Sequence, residues 1–157
     1  MLNSFFENAK LINDKFDIVP LMYGSLGLEY ITHQNFNADD IDILIPEVFI
    51  SERWAEFKSF LSEKGYILFD EHEHSFLKNG IYYSYASVEE LESFAKIHLD
   101  EISRYCQNGL DFKVLSLEQY LKVYSASIKD GYRVNFRKKK DNEKIDFIKK
   151  LLHKQNV

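Results

Sequence analysis

Two aspartates separated by a single isoleucine, Asp40-Ile41-Asp42, run directly into Ile43-Leu44-Ile45 and stop at Pro46. Charged and branched apolar residues alternate with period two. In a strand both carboxylates therefore project from one face while the isoleucines enter a core. Like charges about 6–7 Å apart along a strand repel, and packing alone gains nothing from that repulsion. A divalent cation turns it into a binding site. Upstream, across a polar loop, the apolar run ending at Tyr23 breaks at Gly24-Ser25. Such a bend, passing into a helical turn, presents backbone N–H groups and a hydroxyl to phosphate oxygens. The blander alternative has Gly-Ser serving only the turn, Asp39 and Asp40 ending a loop, and Asp42 on a solvent-facing edge.

The rest of the chain reads as alternating helices and strands. Phe5, Ala9, Ile12 and Phe16 recur at helical spacing, which predicts an amphipathic helix near residues 3–14. Phe16 to Tyr23 is read as the first strand, with Pro20 marking a strand end or edge. Leu26 to Tyr30 is read as a helical turn, Ile31 to Ala38 as loop and Asp40 to Ile45 as the second strand. Ser51 is the expected N-cap of a helix turning Trp54, Phe57 and Leu61 inward, closed by Gly65. Tyr66 to Asp70 is a third strand. Ser75 to Lys78 and Ile81 to Tyr85 flank Asn79-Gly80, the dipeptide of a two-residue type I′ hairpin. Ser87-Val-Glu-Glu90 and Ser116-Leu-Glu-Gln119 read as capping boxes. The first opens a helix with Leu91, Phe94 and Ala95 inward, its helical character continuing with a break to Asn108-Gly109. Leu110 to Leu115 is a strand, and the second box leads Tyr120, Leu121, Tyr124 and Ile128 to a stop at Gly131. A last helix buries Ile145, Ile148 and Leu152. The expected class is α+β: a mixed sheet flanked by helices, one domain over residues 1–157, with a core over about 1–115 and a helical part over about 116–157.

Composition removes several classes of function. The 157 residues, 45% hydrophobic with 13 Phe and 10 Tyr, suffice for one well-filled core. A formal charge of −5 argues against a general nucleic-acid binder. The lone Cys106 excludes a disulfide within the chain. No apolar run approaches the roughly 18–20 residues that span a bilayer, and the first residues lack a signal peptide's basic start. The expectation is a cytoplasmic protein with no membrane partner.

The run Tyr23-Gly24-Ser25, then Asp40-Ile41-Asp42-Ile43, resembles the signature of the DNA polymerase β-type nucleotidyltransferase superfamily. Its pattern is an apolar residue, Gly, then Gly or Ser, a variable stretch, and acid–apolar–acid–apolar. The match covers about the first 45 residues, at the place where small bacterial members carry it. Lys138-Lys-Lys-Asp141, opening an apolar helix, looks like the ending of several such families. The resemblance implies Mg²⁺ (or Mn²⁺) at Asp40 and Asp42. It also implies transfer of a nucleoside monophosphate from a nucleoside triphosphate such as ATP to the hydroxyl of a small molecule or a protein. Gly24 and Ser25 would position phosphates. Active members usually add a third carboxylate on a neighbouring strand, and here Ile81 to Ala86 contains none. With Asn79-Gly80 as the turn, Ser84 faces Ser75 and Ala86 faces Glu73, so Glu73 is the candidate third catalytic acid. Asp111 is a second candidate. With neither in place, the alternative is a degenerate member that binds nucleotide or acts as an antitoxin-like partner.

Three further features are weighed. His72-Glu73-His74 would put both histidines on one strand face, yet no third ligand appears at zinc-like spacing. The basic segment from Arg133 to Lys140 contains the best phosphate-contacting candidates, Arg133 and Lys140. Tyr82, Tyr83, Tyr85, Tyr120 and Tyr124 are aromatic enough to stack on a base or acceptor ring, and nothing in the sequence chooses among them.

Overall fold

The computed structural model describes residues 1–129 and 135–155, with backbone only for 135–137. The helices are α1 (Leu2–Phe16), α2 (Gly24–Thr32), α3 (Trp54–Glu63), α4 (Glu90–Ala95), α5 (Leu117–Ile128) and α6 (Asn135–Gln155). The strands are β1 (Leu21–Tyr23), β2 (Ile41–Ile45), β3 (Ile67–Asp70), β4 (Ser75–Lys78), β5 (Ile81–Ser87), β6 (Ser103–Gln107) and β7 (Leu110–Val114). They form one seven-stranded mixed sheet in the order β3-β4-β5-β2-β1-β7-β6. The β2/β5 and β1/β7 pairs are parallel and the others antiparallel. The α+β class is as the sequence predicts.

Alternation decides which sheet face is covered. Along β5, Tyr83 and Tyr85 are buried whereas Tyr82 and Ala86 are exposed and Ser84 half-buried. The buried side packs on α1 and α3: the Tyr85 ring meets Phe57 at 5.1 Å and its hydroxyl accepts from Asn8 Nδ2 at 2.6 Å. The apolar faces of α1 and α3 (Phe5, Ala9 and Ile12; Phe57 and Leu61) are buried in the same core. The opposite side of β5 stays open. Among the described residues no helix is long and apolar enough to cross a membrane.

Turn chemistry is obeyed where the dipeptides demand it. Asn79 and Gly80 have φ 52° and 76°, and Asn108 and Gly109 have φ 52° and 75°. Both are left-handed pairs of the kind a type I′ hairpin needs. Gly65, at φ 90°, follows the end of α3 as expected, and the Ser116/Gln119 capping box forms with both reciprocal bonds.

Several local expectations fail for identifiable reasons. The helix that opens the chain runs through Phe16, which is claimed by the rings of Phe49, Phe57 and Phe60. Only Leu21–Tyr23 is strand, and it is interior rather than an edge. Pro20 precedes it, its carbonyl accepting from Lys113 N at 2.9 Å. Ser51 does not cap α3; the helix starts after Arg53, and the Ser51 hydroxyl bonds the Glu47 carbonyl and Glu52. Ser87 ends β5 and donates to Glu89, so no capping box forms there, and Phe94 is 40% exposed. The stretch expected to stay helical up to Asn108-Gly109 instead contains β6, which pairs antiparallel with β7. The expected stop at Gly131 lies outside the described residues.

Candidate active site

The site is built where β1 turns into α2. Gly24 adopts φ +63°, a left-handed conformation that side chains resist. A β-carbon placed on it would also lie 2.6 Å from Asp42 Oδ2. Glycine is thus required twice, by backbone angle and by the carboxylate pressed against it. The first N–H groups of α2 have no acceptor within their own helix, and Tyr23 at the N-cap supplies no side-chain cap. The bend is braced from below by Tyr120. Its hydroxyl is fully buried and donates to the Gly24 carbonyl at 2.9 Å. Burial, then the neighbouring Tyr124, Tyr23 and Asp42, holds that hydroxyl protonated far above the usual tyrosine range. Gly27 is the matching absence: a β-carbon there would collide with the Tyr120 hydroxyl and the Met22 carbonyl.

Strand register aligns the polar groups into a row. Tyr23 pairs with Asp42, Asp42 with Ser84, Ser84 with Ser75, and Ser75 with Asp70. Directly paired residues point to the same side, so Asp70, Ser75, Ser84, Asp42 and Tyr23 share one face. Ser84 Oγ donates to Ser75 Oγ at 3.4 Å. Asp42 is half-buried; Asp40 is exposed in the bend just before β2. The neighbour of Asp42 in the sheet, where a third carboxylate would complete a cluster, is therefore a serine hydroxyl. Among the described residues no three His, Cys, Asp or Glu side chains converge as a metal cluster.

The other candidates fall in different places. The predicted Ser75/Ser84 pairing holds, but the β4/β5 ladder ends there, and Ala86 does not face Glu73. Glu73 lies instead in the turn between β3 and β4, with its N–H donating to Asp70 Oδ1 at 3.2 Å. The Tyr85 N–H reaches the carbonyl of His74, whose left-handed φ of 51° closes the turn. The turn is tied to α3 through Glu71, which accepts from Trp54 Nε1 and Lys58 Nζ at 3.1 and 2.7 Å. Glu73 nevertheless lines one cavity of about 390 Å³ together with Tyr23, Asp42, Ser84, Ala86 and Glu90. His72 and His74 line the same cavity. Asp111 is at the far end of its strand. Lys113, two residues later, pairs with Leu21, and the Asp111 carboxylate is held by Arg104 at 3.3 Å, which keeps it ionised below the usual carboxylate range.

The last helix reaches the bend from above. Asp141, Ile145 and Ile148 are buried on one stripe of α6, and Lys144, on the same side, donates to Ser25 Oγ at 2.9 Å. Its ammonium also lies 5.1 Å from the Tyr124 ring centroid. Lys140 is one turn earlier on α6 and exposed; Arg133 lies outside the described residues. Lys144 is a site residue that sequence reasoning missed, and Tyr120, weighed only as a ring that could stack on a base or acceptor, is instead fully buried and braces the bend through its hydroxyl. Both act across more than ninety residues of chain, and only the helical phase of Lys144 with Asp141 and Ile148 hinted that it faces inward.

Comparison with known proteins agrees with this architecture. No family model matches the chain. The uncharacterized protein YnaI of Bacillus subtilis (strain 168) is 38% identical over 152 residues, covering 97% of each chain. Among solved structures, the nucleotidyltransferase ANT(2")-Ia, crystallised with adenylyl-2"-tobramycin, superposes with a TM-score of 0.55 over 98% of each chain. Identity to it is 10%, so the likeness is one of fold: the chain has a nucleotidyltransferase-like fold.

Proposed function

The chain belongs to one family with Bacillus subtilis YnaI, and starting from that membership and the shared fold we propose that it transfers a nucleoside monophosphate from a nucleoside triphosphate to an acceptor hydroxyl. The observation that carries the reading is the contact between Gly24 and Asp42. It brings a phosphate-binding bend and an acidic side chain into one place, from segments that could have been built apart.

Within this reading the residues divide the work. The α2 N-terminus and the Ser25 hydroxyl receive phosphate oxygens, and Lys144 and Lys140 from α6, with Arg133, offset their charge. Asp40 and Asp42 would hold Mg²⁺ or Mn²⁺; the all-oxygen donor set of two carboxylates and nearby hydroxyls suits a hard cation. When bound, such an ion supplies charge neutralisation at the phosphates. The acceptor oxygen forms a bond to the α-phosphorus, the bond from that phosphorus to the departing oxygen breaks, and pyrophosphate leaves. Glu73, at the cavity rim, takes the hydroxyl proton. The fold neighbour was crystallised with a compound in which an adenylyl group is joined to tobramycin, which supports ATP as donor and a small-molecule acceptor.

A second reading, nucleotide binding without transfer in an interaction module, is favoured by Ser84 standing beside Asp42 where a third acid would lie. Isothermal titration with ATP separates the site from coincidence. Binding should require Mg²⁺ and disappear in Asp42→Asn; binding indifferent to both rejects the site. Label from ATP carried to no acceptor, with binding intact, selects the second reading.

A further inference from the structure

The open face of the sheet continues past the polar row as an apolar shelf. Register fixes this: Ile67 pairs with Leu77 and Leu77 with Tyr82, two residues from the positions of Ser75 and Ser84 along the same strands. Ile67, Leu77 and Tyr82 therefore share the face of Ser84 and Asp42. Phe69, at the irregularity between Leu68 and Asp70, turns its ring to Tyr82 at 4.9 Å between centroids. Ile67 is 66% exposed, Phe69 62% and Tyr82 39%. Large apolar side chains gathered this way mark a contact surface rather than scattered exposure. Of the tyrosines on β5, Tyr82 alone is exposed; Tyr83 and Tyr85 are buried.

Charge and size narrow the occupant. From β3 to β2 the charged side chains on this face, Asp42 and Asp70, are acidic, as is Glu73 lining the cavity; Lys113 and Arg104 lie on the same face beyond β1, on β7 and β6. Lys78 belongs to the opposite face, where it lies over the Tyr66 ring at 4.5 Å. Strands are about 4.8 Å apart and alternate residues about 6.8 Å, which puts Tyr82 about 8 Å and Leu77 about 12 Å from Asp42 along the backbone. The cavity beside the row, about 390 Å³, is of small-molecule size. One ring and a short chain span that distance.

We propose that the acceptor is a small molecule whose hydroxyl is carried on an aromatic or apolar body with a neutral or cationic charge. Its body lies over Tyr82, Phe69 and Leu77 while its hydroxyl reaches the Asp42–Ser84 row. This rests on the transfer reading above and adds the substrate class. It requires an acceptor surface that a purely polar polyol would not use.

Phenylalaninol, with one phenyl ring, one hydroxyl and one amine, is a direct probe. Isothermal titration should give saturable binding to the wild-type chain, weakened about tenfold in Tyr82→Ser and in Phe69→Ser, as loss of ring burial implies. Tyr105→Ser, an exposed aromatic on β6 whose pairing with Phe112 puts it on the opposite face of the sheet, should bind as wild type, and circular dichroism of all three variants verifies that they fold. Absence of saturable binding, or equal binding in every variant, overturns the proposal. A separate titration with MgATP keeps the two failures apart. Phenylalaninol binding with this mutational pattern but no MgATP binding upholds the shelf and rejects the transfer reading. Asp42-dependent MgATP binding without the phenylalaninol pattern rejects the shelf alone.

Discussion

Asp42 Oδ2 lies so close to Gly24 that a β-carbon on the glycine would come within 2.6 Å of it. Gly24 opens α2 directly after β1 and Asp42 lies on β2, and the Tyr23–Asp42 pairing brings the two together. Gly24→Ala must therefore accept a strained φ and displace the carboxylate. We expect a loss of about 2 kcal/mol or more in stability, together with loss of MgATP binding. Urea unfolding and titration calorimetry measure the two effects, and wild-type values in both would mean the contact is incidental.

Gly27 and Tyr120 form a second close fit. Tyr120→Phe leaves the Gly24 carbonyl without its buried donor and should cost about 1–2 kcal/mol. Gly27→Ala should cost more, since the added carbon meets both the Tyr120 hydroxyl and the Met22 carbonyl. Removing the hydroxyl cannot relieve the backbone clash. The double variant should accordingly stay below Tyr120→Phe in its urea midpoint; full recovery to that level would show that Met22 is not in the way.

Ser84→Asp asks whether the polar row is a metal site. An added carboxylate opposite Asp42 repels it across the strands, so stability without divalent cations should fall. With Mn²⁺ the same pair becomes a ligand set, and affinity should rise about tenfold or more. Paramagnetic relaxation or calorimetry reads the affinity. A variant whose stability and Mn²⁺ affinity both match wild type would place the cation elsewhere.

Buried tyrosines set an alkaline limit. Burial pushes the Tyr66 hydroxyl up to about 12 and holds Tyr85 and Tyr120 well above their ordinary value, because the phenolate would lose its water. The folded chain keeps these protons where the unfolded chain releases them, near pH 10. Their contribution is thus complete below about pH 10 and declines as pH rises toward the folded value. Urea midpoints between pH 8 and 12 should be level and then fall, with a shallower fall in Tyr66→Phe. A wild-type midpoint unchanged through pH 11.5 would contradict the assignment.

What could be read in the sequence follows the range of the interaction that fixes it. Asn79-Gly80 and the Ser116/Gln119 box are local, and both formed. Asn108-Gly109 carries the same turn chemistry, yet the strand before it, β6, is exposed at every position and shows no alternation to betray it. Ser87 has the spacing of a cap but sits at the end of β5, where the preceding sheet has already claimed its backbone. The Gly24 bend and Asp42 were legible because their chemistry is written in residue type. The bracing role of Tyr120 and the place of Lys144 were not, since what makes them matter is a partner 96 and 119 positions away. Glu73 was legible as an acid near the row, and its place in a turn was not, because the ladder ends at Ser75–Ser84, two pairs short of the expected Glu73–Ala86.

The Lys144–Ser25 bond also has a temporal meaning. A chain leaving the ribosome exposes Ser25 early, while the lysine that supplies the ammonium follows 119 positions later. The bend can take its shape as soon as Asp42 and Tyr120 have emerged, but it stays uncovered on one side until α6 docks. Under the proposed transfer, competence to engage a polyanion therefore arrives only after α6 has been made and has docked, and a ribosome-stalled chain ending at α5 should bind nucleotide more weakly than one that includes α6.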